Sequence, residues 1–286
     1  MSEAPPSTVR LRKIGKVLRQ LREENGHTLK TAGRRLERSG SSLSLIENGQ
    51  QSLRARDLAF ILDAYGVTDP LRQGLLTLAE QQTQTQTGWW NAFKDVAPPQ
   101  ALDHASVESA ACYLRTVDTH YVPGLLQTAG YARSVMQAGM VDTDSHVTER
   151  LISFRLARQQ ILRADDPPHL HVLIDEAVVC RRWSGAQVMR AQLWHLYRAS
   201  LQEHITVQLL PFSSTGDPGI DGTFNTLQIG SPVILSTVLI DHIGGRMSLE
   251  NDADVQRHLA AFARTCEVAL SPDDSRAEIE RIASRL

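Results

Sequence analysis

The side chains with chemistry to offer concentrate between Thr28 and Glu47, in the run TLKTAGRRLERSGSSLSLIE. Hydroxyls and cations dominate it. Such groups exchange hydrogen bonds with base edges and neutralise phosphates, but they do not by themselves break bonds. Other constellations that could do chemistry fail on spacing. Cys112, Cys180 and Cys266 stand far apart with no CxxC pair, so neither a disulfide framework nor a zinc site is expected. His169 and His171 share one face of an expected strand with no third ligand nearby, so half-exposed strand residues are expected there rather than a metal pair. Asp175 and Glu176 are neighbours on that strand and point opposite ways, so they are no acid–base pair. GxSxG, Walker, GxGxxG, HExxH and Cys–His signatures are absent, and the glycine pair of DHIGGRM lacks the P-loop lysine. The expectation is a non-enzyme with no cofactor and no metal.

The chain has 286 residues and a net charge of −2, which on its face disfavours a nucleic-acid partner. The total conceals a division. Between Arg10 and Arg56 twelve Lys/Arg face four Asp/Glu, a surplus of eight positive charges; from Asp57 onward eighteen basic residues face twenty-seven acidic ones. A basic head on an acidic body suits a polyanion partner for the head alone. The start has no apolar stretch behind its charges, and no apolar run is long enough to span a bilayer, so a cytoplasmic protein without membrane contact is expected.

The elements that must position the hydroxyls follow from periodicity. Leu11, Ile14, Leu18 and Leu21 make one helical stripe; Leu58, Ile61, Leu62 and Tyr65 another; Leu71, Leu75 and Leu78 a third. Thr28 and Ser39 are placed as N-caps of two short helices, with Ala32, Leu36, Leu43 and Ile46 facing inward and the turn near residues 37–39. Gly40, Ser41, Ser42, Ser44 and Leu45 then face out. This predicts an all-α five-helix helix-turn-helix domain over residues 1–80. QQTQTQTG at 81–88 reads as a linker, and 89–286 as an α+β domain with a small sheet of about four strands. The expected strands are Leu170–Ile174, Ile205–Leu209, Phe224–Ile229 and Val233–Ile240. A helix is expected from Val147 to about Arg163, another from Gln187 to Leu201, and two at the end.

Ser39 to Gly49 resembles the lambda-repressor/Cro-like, or xenobiotic-response-element, helix-turn-helix class, over about residues 9–80. The resemblance implies a second helix in the major groove. Ser41, Ser42 and Leu45 are then the base-edge candidates. Thr28, Lys30, Ser44, Asn48 and Gln50 are the phosphate candidates, with Arg34 and Ser39 beside them. Arg12, Lys16 and Arg19 share a side of the first helix; Lys13 and Arg22 are expected to be solvated. The chain departs from the class pattern at Leu29, at Gly40, at Glu37 where a turn glycine is usual, and at Arg38. Serines in place of stronger readers imply shallow base readout with a part for DNA shape.

The remainder resembles a group of actinobacterial two-domain regulators, through GWW at 88–90, VPGLLQTAGYAR at 122–133, RLARQQIL at 155–162, IDEAVVCRR at 174–182, QLLPF at 208–212 and GTFNTLQI at 222–229. That resemblance implies a developmental or antitoxin-like repressor of its own or a neighbouring operon. It also implies a homodimer on double-stranded DNA and a small, separately encoded protein partner. The alternative is an interaction module or small-molecule sensor in which DNA binding is secondary. Arg155 and Arg158 are expected to pair with Asp175 and Glu176; the competing reading makes them a site for an anionic ligand or partner.

Overall fold

The computed structural model describes residues 8–84, 88–139, 144–182, 184–215, 222–242 and 245–286. Five helices come first: α1 (Val9–Glu24), α2 (Leu29–Arg35), α3 (Gly40–Glu47), α4 (Ala55–Ala64) and α5 (Leu71–Gln84). The inward stripes meet with Leu18, Leu43, Leu58, Ile61, Leu62, Leu75 and Leu78 wholly buried, but Leu71, expected in the third stripe, is left exposed at the start of α5. Thr8, Thr28 and Ser39 cap the first three helices by accepting from the backbone N–H of Leu11, Thr31 and Ser42. Each cap of this kind is worth about 1 kcal/mol. α5 runs through the first half of the expected linker, and residues 85–87 lie outside the described residues.

The chain divides into two compact units, and the first is not a single stretch. It comprises Met1–Lys94, Pro98–Val107 and Ile229–Leu235. Pro98–Val107 is nearly all of α6 (Pro99–Glu108). It holds the start of α1: Asp103 Oδ2 accepts from the Val9 N–H at 3.0 Å, and Arg10 donates to both Ser106 Oγ and Ser106 O at 2.7 Å. From the third stretch, Ile234 packs so closely on Gly74 of α5 that a Cβ there would lie 2.1 Å from Ile234 Cδ1.

The second unit is α+β. Its strands are β1 (Tyr113–Asp118), β2 (His169–Asp175), β3 (Ile205–Leu210), β4 (Phe224–Ile229), β5 (Leu235–His242) and β6 (Gly245–Leu249). They form one mixed sheet in the order β3-β2-β1-β4-β5-β6. β1, β2 and β3 are parallel neighbours, whereas β4 runs antiparallel to β1 and β6 antiparallel to β5. The expected four strands are thus joined by two more. β1 hides because Arg115, Thr116 and Asp118 break its apolar alternation, although Thr116 is buried at the sheet centre. β6 is a short edge strand that leaves Met247 exposed and sets only Leu249 against the core. The helices are α7 (Ala129–Gly139), α8 (Ser145–Arg158), α9 (Glu176–Cys180), α10 (Ala186–Ala199), α11 (Asp252–Val268) and α12 (Pro272–Ser284). The helix expected to reach Arg163 ends at Arg158 and tightens into a 3₁₀ turn over Gln159–Arg163.

The histidines and Cys266 have partners within the fold. His171 faces Gln208 Oε1 at 2.8 Å and meets the Phe262 ring edge-on, while His169 stacks on Tyr113. Cys266 lies against the core of Val117, Leu173, Phe224 and Phe262. Burial pushes its thiol up to about 11, the behaviour of an inert packing cysteine.

Candidate nucleic-acid interface

α2 and α3 are joined by a turn in which Glu37 takes φ 53° and Arg38 N–H returns to Gly33 O at 2.8 Å. Gly33 is required at this point, because a Cβ would lie 2.6 Å from Arg38 O. α1 braces α3 from behind. A Cβ on Gly15 would sit 2.5 Å from Ile46 O and 2.6 Å from Glu47 O, so the two backbones touch. A buried ion pair locks this crossing: Arg22 Nε donates to Glu47 Oε1 at 2.7 Å and Nη2 to Oε2 at 3.0 Å. Nη1 reaches His27 O at 2.8 Å. The Glu47 hydrogen bonds outweigh burial and hold the Arg22 guanidinium above its ordinary range. Arg22 was expected to be solvated and is instead an internal staple. Its burial follows from the small Gly15, which lets α1 approach α3 closely.

The outer face of α3 matches the expected pattern. Ser41 and Leu45, one turn apart, are exposed; Ser42 and Ser44 are half-buried; Leu43 and Ile46 point inward. Leu45, at 44% exposure, is one of the large apolar side chains left in water. An outward leucine suits a thymine methyl, and an outward serine suits either kind of base-edge partner. Several hydroxyls already have work inside the protein. Thr28 and Ser39 spend an acceptor on their caps. Ser42 Oγ donates to Gln51 Oε1 at 3.2 Å, and Asn48 Nδ2 donates to Ser44 O at 2.8 Å. Gln50 is exposed. Gln51 is a contact that the sequence did not signal, since nothing in its spacing marks it as reaching back nine residues.

The cations also sort. Lys16, Lys30, Arg34, Arg35 and Arg54 are exposed around the two motif helices. Arg19 forms a surface pair with Glu23, and Arg38 lies 3.4 Å from Asp57. Arg10 is enclosed, and burial brings its pKa down to about 10 against the pull of Asp103. The head's surplus of positive charge is therefore carried outward mainly by α2 and by the exposed side of α1.

Comparison with known families places these observations. A profile described as a domain of unknown function, DUF5753, matches residues 101–281, well over half of the chain. The chain belongs to the DUF5753 family. A second profile, described as a helix-turn-helix domain, matches residues 13–75. The protein is thus a helix-turn-helix DNA-binding regulator with the DUF5753 region behind it. No curated protein matches, and no solved structure matches. Among the described residues no helix is long and apolar enough to cross a membrane.

Within the DUF5753 region Arg155 and Arg158 part company. Arg158 grips Glu108 with two bonds of 2.8 Å. Burial lowers its pKa, but the Glu108 charge and hydrogen bonds more than restore it. Among the described residues Arg155 donates only to Gln127 Oε1, at 3.1 Å. The expected pairing with Asp175 and Glu176 does not form, because both carboxylates are taken locally. Asp175 caps α9 through the Ala177 N–H, and Glu176 Oε2 accepts from the Phe212 N–H at 2.7 Å.

Proposed function

We propose that this protein is a sequence-selective transcriptional regulator of the lambda-repressor/Cro-like class, working as a homodimer in the cytoplasm. α3 enters the major groove, with Ser41, Ser42 and Leu45 toward base edges. Lys30, Arg34, Ser44, Asn48 and Gln50 contact phosphates, and Thr28 and Ser39 hold the helix starts at the backbone. The two copies meet half-sites about 34–36 Å apart, or a multiple of that. The reading extends to the two-domain actinobacterial type: a developmental or antitoxin-like repressor of its own or a neighbouring operon, with a non-enzymatic DUF5753 region that takes up a small protein partner. The observation that carries the DNA assignment is the exposed Ser41–Leu45 face of α3 beside the exposed Lys30 and Arg34 of α2.

Titration in a gel-shift assay against the protein's own upstream DNA tests it. At ~0.15 M salt that DNA should bind at least 10³-fold more tightly than random duplex. Lys30→Ala or Arg34→Ala should weaken binding to every sequence and reduce the salt slope by about 1. Ser41→Ala should instead change which sequence is preferred. Equal affinity for operator and random DNA would sink the proposal.

A further inference from the structure

The charges around Arg155 do not cancel. Arg155 lies within electrostatic range of two other guanidiniums, Arg158 and Arg246, and all three act on Asp241. Two of them are neutralised in pairs: Arg158 by Glu108, and Arg246 by two bonds to Asp241. Arg155 has no carboxylate within ion-pairing distance among the described residues, and one bond to a neutral glutamine is what the fold gives it. Burial, together with the charges of Arg158 and Arg246, brings its pKa down to about 10, with Asp241 pulling the other way. A part-buried cation set beside two others costs stability unless something anionic arrives.

The scaffold beneath it is heavily braced. Gln127, almost wholly buried, is fixed by donating to Val122 O at 2.7 Å while its Oε1 faces Arg155. Gln159 Nε2 ties Gly124 O and Gln127 O, and Gln192 ties Leu126 O and the Thr128 N–H. The Tyr131 hydroxyl accepts from the Val122 N–H at 3.2 Å. The polar side chains of the Val122–Thr128 bend, Gln127 and Thr128, are thus bonded to the backbone that shapes it, while the Arg155 guanidinium is held by a neutral group. Preorganisation of this kind belongs to recognition sites.

We propose that Arg155, held by Gln127 and the Val122–Thr128 bend, is the recognition group for the carboxylate of a small monoanionic ligand or of a chain end. The class follows from the charge count. One uncompensated guanidinium offers a planar fork that fits a carboxylate in two parallel bonds. A phosphate dianion would bring a second negative charge toward Asp241, whose carboxyl is held low there and whose bonded partner among the described residues is Arg246 alone.

Thermal unfolding of the full chain tests this with sodium acetate, sodium phosphate and sodium chloride at equal ionic strength. Saturating acetate should raise the wild-type midpoint over chloride by about 2–4 °C, and phosphate should not. Arg155→Gln should lose the response, and Arg155→Lys should retain part of it. In chloride alone Arg155→Gln should melt no lower than wild type, because it removes an unneutralised charge; a merely structural arginine would lower the midpoint. The tripeptide Gly-Gly-Ala with a free or an amidated end identifies the source. An Arg155-dependent response to the free form exceeding that to acetate assigns a chain end, and one to acetate of equal size assigns a small molecule. An acetate response surviving in Arg155→Gln, a larger response to phosphate, no response to any carboxylate, or a chloride midpoint lowered by Arg155→Gln would each overturn the proposal.

Discussion

Glu37 holds a backbone conformation that its own side chain disfavours. At φ 53° a residue with a Cβ sits in the left-handed region, at a cost of roughly 1–2 kcal/mol relative to its ordinary conformations. The turn between α2 and α3 requires that geometry, since the Arg38 N–H must return to Gly33 O. Glu37→Gly should therefore stabilise the protein by about 0.5–1 kcal/mol, seen as a higher thermal midpoint with unchanged helicity. A lower midpoint would mean that the Glu37 side chain contributes something that its exposed position does not reveal. At the same scale the sequence was only half legible. The inward and outward sides of α3 followed from Leu43 and Ile46 alone, and Leu45 was placed outside correctly. The destinations of the arginines were not legible, because their partners are remote in the chain: Glu47 for Arg22, Ser106 for Arg10 and Glu108 for Arg158. No local period encodes such pairings.

The crossing of α1 over α3 is the junction of elements on which the DNA face depends. It is set by Gly15 and clamped by Arg22 and Glu47. Gly15→Ala drives a methyl group into backbone carbonyls that cannot turn aside, so α1 must shift. The expected cost is about 1–3 kcal/mol, with operator affinity falling because α3 is displaced, although no contact residue has changed. Gly40→Ala is the matched control. Its added Cβ would lie 3.5 Å from the nearest backbone atom, an ordinary contact, and the midpoint should hold. If the two variants melt alike, backbone proximity does not govern this packing. Elements with an unbroken stripe or alternation were legible from sequence. β1 was not, since its burial depends on Thr116 giving its hydroxyl to Asp118 at 2.5 Å, a pairing that looks merely polar in the sequence. β6 was not either, because an edge strand of five residues leaves too little pattern.

At the scale of the whole molecule, stability and pH are linked through Asp118. Burial pushes its carboxyl up to about 7 from an ordinary 3.8, with the Thr116 bond opposing and the Asp241 charge assisting. The unfolded chain gives up this proton near pH 4, whereas the folded chain keeps it to about pH 7. Asp118 therefore contributes stability that is whole below about pH 4 and is lost as the pH rises through 7. Carboxyls held low by arginines, such as Glu23, Asp63, Asp95 and Glu149, act in the opposite sense and lose their contribution only in acid. Urea unfolding between pH 4.5 and 7.5 should show wild type losing stability relative to Asp118→Asn as the pH increases. Parallel curves for the two proteins would refute the assignment. The overall charge division was legible from composition. How the head is completed was not, because α6 and the stretch Ile229–Leu235 carry no sign that they pack with the first five helices.

That completion has a consequence in time. A ribosome releases the chain from its N-terminus at about 5–20 residues per second. The five helices emerge early, but Ile234, which closes over Gly74, follows roughly 150 residues behind the end of α5, or about 8–30 s later at that pace. A chain broken off by a premature stop before that point carries the whole helix-turn-helix sequence without the pieces that finish its unit. The last pieces of the DNA-reading unit are therefore made only after most of the protein behind its five helices.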